Sequence, residues 1–383
     1  MNDPLREAER RIDGRNVDPA VGRLAGEGAL QRVRRRAPEA IPETFAGPEG
    51  EGPSYHGLPL LKEPVWRWYI PAYFTVGGLA GACGVLGAAA QAFGGPGTAA
   101  LVRRCRLVAT GGAIASAALL VADLGRPARF LDMLRVFRPT SPMNMGSWVL
   151  SGFGACAALS ALPALAPLAG PAARVADLAG YGAGFLGLPL VGYTGVLLSN
   201  TAVPVWQETR RTLPVLFAFS GAVSAGALFQ AWSPRGPGSG AARRFGLLAK
   251  GAEVVFSIAL HREAGRVPRV ARALSRGRAG VLLGAARLLT AASLAVDLAA
   301  GPGHRRGQRA AGLMALAGTL ALRFGIAAAG RQSARDPFAT FEQQRAGRGA
   351  AELVKKHAAP PPSPALPGAG ETGKESAGLG PSP

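Results

Sequence analysis

The 383-residue chain is strongly basic, with 43 Lys and Arg against 23 Asp and Glu and a formal charge of +20, yet 48% of it is hydrophobic. In a soluble domain such a balance would suggest nucleic acid. Here the arginines lie mostly in the tails and short connections, where lipid headgroups would meet them. Residues 69 to 330 form a train of Ala/Leu/Gly/Val-rich runs, several reaching the about 20 residues that a bilayer-crossing helix needs. Composition thus points to an all-α, polytopic membrane bundle in contact with lipid, and away from nucleic acid.

Cys83, Cys105 and Cys156 all fall in apolar segments and none has a CxxC partner, so this chain carries no iron–sulfur or zinc motif. His56, His261, His304 and His357 lie outside the apolar runs or at their edges, which excludes a bis-histidine haem inside a bundle. No metal site is expected.

Residues 1–62 mix Arg, Glu, Gly and Pro and read as a mostly disordered tail with a short charged helix over Ala20 to Arg36. They lack the apolar run of a secretory signal, so the first span is expected to direct insertion. Residues 63–335 form the membrane domain, entered through the interfacial aromatics Trp66, Trp68 and Tyr69. The first span covers about Tyr69 to Phe93. Its Gly77, Gly81, Gly84 and Ala88 leave one face open to close helix approach. The second, about Cys105 to Leu124, ends on Asp123. The junction from Asp123 to Trp148 holds four arginines, two acids and three prolines, and the third span then starts near Ser147-Trp148 and runs to about Ala169.

The fourth span, about Leu178 to Asn200, contains Pro189 among Gly184, Gly187, Gly192 and Gly195. This predicts a broken hydrogen-bond ladder bordering a site, with Tyr193 one turn beyond the break. Further spans follow at about Leu213 to Ala231, Phe245 to Leu260, Ala279 to Ala300 and Ala310 to Gly330, eight in all. Residues 336–383 read as a polar, Pro/Gly-rich disordered tail. Lys and Arg are divided almost evenly between the two sides, which sets no orientation. SAALLVADLGRP and AASLAVDLAAGP form a faint internal echo that places Asp123 and Asp297 alike.

Ionisable residues inside spans cost about 2.5–3.5 kcal/mol on insertion scales and are functional candidates. Glu253 and Asp297 are candidates for a proton path. Lys250, three residues before Glu253, is placed to pair with it, and Arg287 and Arg323 are the other intramembrane charges. Asp123 is followed by Arg126 and Arg129. A carboxylate so placed can be held ionised, or can exchange a proton when a ligand alters the pairing.

The segments KEPVWRWYIPAYFTVGGLAGA (Lys62 to Ala82), VADLGRPARFLDMLRVFRPTSPMNMGSW (Val121 to Trp148), YTGVLLSNTAVPVWQE (Tyr193 to Glu208), LPVLFAFSGAVSAG (Leu213 to Gly226) and LRFGIAAAGRQSARDP (Leu322 to Pro337) resemble the NrfD-type membrane subunits of polysulfide reductase-like complexes. The resemblance implies two four-helix bundles in the cell's inner membrane and a non-autonomous oxidoreductase subunit without haem or cluster. Its substrate would be menaquinone or menaquinol. Its partners would be an iron–sulfur subunit and, beyond that, a molybdopterin catalytic subunit. The quinone site would lie in the first bundle. Tyr193 would hydrogen-bond a quinone oxygen, Asp123 would accept a proton with Arg126 beside it, and Trp66 to Tyr73 would form the wall. Some relatives have a histidine at the start of the first helix. This chain has none there, which leaves Asp123 or Tyr73 as the polar partner. The rival readings are an ion- or solute-translocating bundle and an anchor without quinone chemistry.

Overall fold

The computed structural model describes residues 17–18, 23–24, 61–124, 128–232 and 238–348, with side chains placed from 61 onward except at 125–131 and 233–237. Two units result. In the first, Met1–Gly57, strand β1 (Val17–Asp18) pairs antiparallel with β2 (Arg23–Leu24). Arg23–Leu24 lies within the stretch expected to be a short helix. The rest of that stretch, like most of both expected tails, is outside the described residues.

The second unit, Leu58–Pro383, holds twelve helices among its described residues: α1 (Tyr69–Phe93), α2 (Ala99–Leu124), α3 (Ala128–Arg135), α4 (Pro142–Leu165), α5 (Gly170–Ser199), α6 (Pro204–Glu208), α7 (Leu213–Trp232), α8 (Ser239–Ala264), α9 (Pro268–Ser275), α10 (Gly277–Ala300), α11 (Arg305–Arg335) and α12 (Pro337–Arg345). Seven of them are long and apolar enough to cross a membrane. α8 has the length, at 26 residues, but carries Arg243, Arg244, Lys250, Glu253, Arg262 and Glu263, which lowers its mean hydropathy. It is nonetheless packed as a full member of the bundle.

The eight long helices form two rings. α1, α2, α4 and α5 pack cyclically, as do α7, α8, α10 and α11, and the rings meet where α1 and α5 lie against α7 and α1 also touches α11. Small residues allow this closeness. A Cβ at Gly187 of α5 would lie 2.5 Å from Gly81 O of α1, and one at Gly221 of α7 would lie 2.9 Å from Gly78 O. The Gly77, Gly81, Gly84 and Ala88 face of α1 is therefore chiefly a packing face, with Gly81 and Gly84 turned to α5 and Gly77 to Ser116 of α2.

Several boundaries differ from those expected. α2 begins at Ala99, not Cys105, because Gly95 (φ 64°) and a 3-10 turn at Pro96–Thr98 reverse the chain at once, and Thr98 Oγ1 closes the end of α1 by donating to Ala90 O (3.0 Å). Arg103, Arg104 and Arg106 thus belong to helix, and long side chains can carry such charges toward the headgroups. α4 begins at Pro142 because Ser141 caps it, accepting from Asn144 N, and proline at the first position sacrifices no helical bond. α5 runs unbroken through Pro189. One proline removes a single ladder bond, and packing of α5 against α1, α4 and α7 holds the helix on both sides of it. At the far end the chain stays helical beyond residue 336, where a tail was expected: Asp336 caps α12 by accepting from Phe338 N (3.1 Å) and pairs with Arg269 (2.8 Å).

Candidate functional site

Chain direction decides which residues share an end of the first ring. α1 and α4 start, and α2 and α5 finish, at one end, so Tyr73, Asp123, Gly146 and Tyr193 gather there. Tyr193 of α5 lies directly on Gly146 of α4, where any Cβ would overlap the phenol ring. That glycine belongs to the SPMNMGSW stretch, and the same stretch fixes the start of α4. Asn144 Oδ1 accepts from Arg138 N (2.6 Å), while its Nδ2 donates to Met133 O (2.6 Å) and Val136 O (2.8 Å). One amide therefore ties the end of α3 and the following loop to α4.

Tyr73 is buried in α1, its ring beside the Gly77–Ser116 contact, at the same end as Tyr193. Asp123 is half-buried at the end of α2, and the guanidinium that acts on it is Arg67, from the segment entering α1. Arg126 lies outside the described residues, and nothing is placed for the Arg129 side chain. Trp66 stacks on Trp206 of α6 (5.2 Å, 13°) and meets Phe74 edge-on (6.1 Å), which puts it on the seam between the rings. A groove of about 400 Å³ runs there between Lys62, Glu63 and Trp66 on one side and Thr201, Val203 and Trp206 on the other.

Two residues at this end carried no signal in the sequence. Ser116 Oγ and Thr194 Oγ1 are buried without a hydrogen-bond partner among the described residues. Ser116 faces Gly77 of α1 and precedes Asp123 by two helical turns, so the two share a face of α2. Thr194 follows Gly187 by the same interval on the face of α5 turned to α1. Serines and threonines in apolar helices read as packing residues, and only their neighbours show that these two hydroxyls are unspent.

The opposite end of the first ring has a cavity of about 320 Å³ lined by Gln91, Thr98, Arg103, Arg106 and Asp177. Arg106 is held there by Asp177 (2.8 Å), Gln91 (2.9 Å) and Ser160 O (3.2 Å). None of the residues singled out from the sequence reaches it.

In the second ring the two expected proton-path residues are not equivalent. Asp297 is fully buried and saturated: it accepts from Gln230 Nε2 (2.6 Å), Arg243 Nε (2.8 Å) and Lys250 Nζ (3.0 Å). Lys250 therefore pairs with Asp297 and not with Glu253. Glu253 Oε1 accepts from Thr290 (2.8 Å), and Oε2 has no partner among the described residues, Ser220 approaching without hydrogen-bond geometry. Arg323 lies over the Phe217 ring (3.7 Å) and donates to Phe217 O (2.8 Å) at the seam. The echo between Asp123 and Asp297 does not extend to their surroundings. Among the described residues no group of three or more His, Cys, Asp or Glu could hold a metal ion.

Residues 59–235 match the family model described as polysulphide reductase, NrfD. No curated protein matches the chain. The matched stretch covers the whole first ring and α7, while α8 to α12 lie beyond it.

Proposed function

We propose that this chain, whose residues 59–235 match the NrfD family model, is a multi-pass membrane subunit of the polysulfide-reductase-like type with a quinone-exchanging role. The subunit takes two electrons from menaquinol, or returns them to menaquinone, across the end of the first ring that holds Tyr73, Asp123 and Tyr193. The observation that carries this reading is that chain direction brings two phenols and a half-buried carboxyl from three helices to one end, with the unspent hydroxyls of Ser116 and Thr194 near them.

The chemistry follows from these groups. A hydroquinone oxygen is oriented by the Tyr193 phenol, for which Gly146 leaves room against α4. Oxidation releases two protons and two electrons. Asp123 takes the two protons in turn and releases each at this end of the ring, with Arg67 of the segment entering α1 as the cation whose charge reaches it. Arg126 is a further candidate neighbour, and Trp66 forms the outer wall. This chain has no cluster motif, so the electrons pass to an iron–sulfur partner docked at this end and from there to a molybdopterin subunit. The groove between Lys62 and Trp206 is the natural seat for that partner. In the second ring Glu253 remains a candidate for onward proton transfer, whereas the saturated Asp297 serves better as a fixed charge. We place the complex in the inner membrane. The rival translocating bundle rested on a helix broken at Pro189 together with intramembrane acids; α5 is continuous, and the buried acids Glu253 and Asp297 are what that reading retains.

The test is cluster reduction in membranes holding the whole complex, driven by a menaquinol analogue. Asp123→Asn lowers the rate by about 100-fold or more, the range for a lost general base. Tyr193→Phe lowers it by about fivefold, the worth of one hydrogen bond of roughly 1 kcal/mol. Unchanged rates in both variants refute the site and leave a plain anchor.

A further inference from the structure

The second ring has a cavity at the end where α5 finishes and α7 starts, and the proposed quinone chemistry uses none of its residues. It opens between the start of α7 and the end of α8, has a volume of about 540 Å³, and is walled by Arg211, Val255, Ile258, Arg262 and Arg266.

The three arginines are exposed, and among the described residues none of their guanidinium groups has a hydrogen bond or an ion pair. Glu263 is the one acid on the cavity wall, and it is already spent. Its Oε2 accepts from Thr212 N (3.1 Å) and Thr212 Oγ1 (2.6 Å), which ties the chain entering α7 to the end of α8 and so holds Arg211 on the same cavity as Arg262 and Arg266. The cavity at the far end of the first ring differs in this respect, because Arg106 there is matched by Asp177 (2.8 Å).

Beside the arginines the wall turns apolar. Leu248, Val255, Ile258 and Arg262 recur at the spacing of one face of α8, and the first three are exposed. Arg262 lies in the last turn of α8, Arg266 just beyond it and Arg211 just before α7, which is headgroup level. Ile258 and Val255 lie further along the helix, roughly 9 and 14 Å from that same end, at the level of acyl chains. The cavity therefore presents cations above and an apolar track below.

We propose that it binds an anionic phospholipid, with the phosphate among Arg211, Arg262 and Arg266 and an acyl chain laid along Ile258, Val255 and Leu248. The guanidinium fork suits phosphate oxygens, and unpaired cations at this level attract anionic lipid. A choline headgroup would set its own cation among three others, so the site selects an amine-free headgroup of the glycerol type. The volume falls within the about 300–1,000 Å³ of ligand sites. A soluble acidic partner could meet the arginines but not the lipid-facing track that continues from them, which only an amphiphile reaches. The inference requires α8 to cross the bilayer and shares neither residue nor ligand with the quinone site, so the two fail separately.

The experiment reconstitutes the full chain in phosphatidylcholine vesicles with a trace of phosphatidylglycerol carrying a diazirine high in one acyl chain, or with the matching phosphatidylcholine probe. Adducts formed on illumination are mapped by mass spectrometry. The expected result is several-fold more labelling of 255–262 by the phosphatidylglycerol probe, with equal labelling by both probes at the exposed Phe185 and Leu188 of α5. Arg211→Gln alone, or Arg262→Gln with Arg266→Gln, reduces the excess several-fold and leaves 185–188 unchanged. All three side chains are exposed, so these variants are expected to fold. Equal labelling of 255–262 by the two probes overturns the proposal, and so does an excess that the arginine variants leave intact. An excess abolished by glycerol phosphate at the concentration of the probe also overturns it, because that marks a site for a soluble phosphate compound.

Discussion

Asp297 and Glu253 are both acids in spans of the same ring, and their roles separate at the level of hydrogen bonds. Asp297 has three side-chain donors, two of them cationic. Lys250, fully buried, has Asp297 and the Gln230 amide oxygen as its partners among the described residues. Removing one member of a buried charge pair typically costs about 3–5 kcal/mol because the other charge is stranded. The two sides of this pair differ in what is left behind. Asp297→Asn strands Lys250 with a neutral amide as its remaining acceptor and is expected to lose the full amount. Lys250→Met leaves Asp297 with Arg243 and Gln230 and costs less. Thermal unfolding of the detergent-solubilised complex checks the order, and a Lys250→Met variant as unstable as Asp297→Asn would show that Asp297 is not the centre of this cluster. The sequence suggested Lys250 with Glu253, because a helix shows its neighbours at three and four residues. Asp297 is 47 residues away, and only the ring closure of α8 against α10 brings it within reach.

Among the helices, the glycines and the prolines were legible to different degrees. The small-residue face of α1 signalled close approach, and α5 is the partner it meets, because Gly184 and Gly187 repeat the pattern there. Pro189 misled, since a proline flanked by glycines resembles a break when seen alone, and the tertiary packing that keeps α5 helical through it is not local. The start of α4 was displaced for the opposite reason: Ser141-Pro142 is a strong helix start that the apolar count, beginning at Ser147-Trp148, passed over. The glycine contacts lead to a paired expectation. Gly187→Ala sets a methyl group against the Gly81 carbonyl, a backbone atom that cannot swing aside, and overpacking of this kind costs about 1–3 kcal/mol. α1 carries Tyr73 and α5 carries Tyr193, so the same substitution also lowers the quinol-driven rate. Gly251 of α8 faces open space, with nothing within 4 Å of an added Cβ, and Gly251→Ala is expected to change neither stability nor rate beyond the modest helix preference for alanine. Equal effects from the two would contradict the α1–α5 contact.

For the molecule as a whole, the number of crossings turns on α8, the helix whose charges keep it from being apolar. The eight spans read from the sequence included it as a short one, Phe245 to Leu260, and the structure explains how its charges are tolerated: Lys250 and Glu253 point into the ring and find Asp297 and Thr290 there. What the sequence could not offer was the seam between the rings, where Trp66 stacks on Trp206 and Arg323 on Phe217, contacts between residues more than a hundred positions apart. The seam also ties the beginning of the bundle to its end. Glu63 pairs with Arg335 (2.9 Å) and Arg331 donates to Trp66 O (3.2 Å), so α1 starts where α11 finishes, as an even number of crossings requires. This is open to direct measurement with a membrane-impermeant maleimide. Lys62 and Gln344 are both exposed, whereas Cys83 and Cys105 are buried and the partly exposed Cys156 can be replaced by alanine. Single cysteines at Lys62 and Gln344 are expected to react from the same side of sealed vesicles. Reaction from opposite sides would mean that an odd number of helices cross. α8 would then lie outside the membrane, and its buried charges would be a soluble salt-bridge cluster.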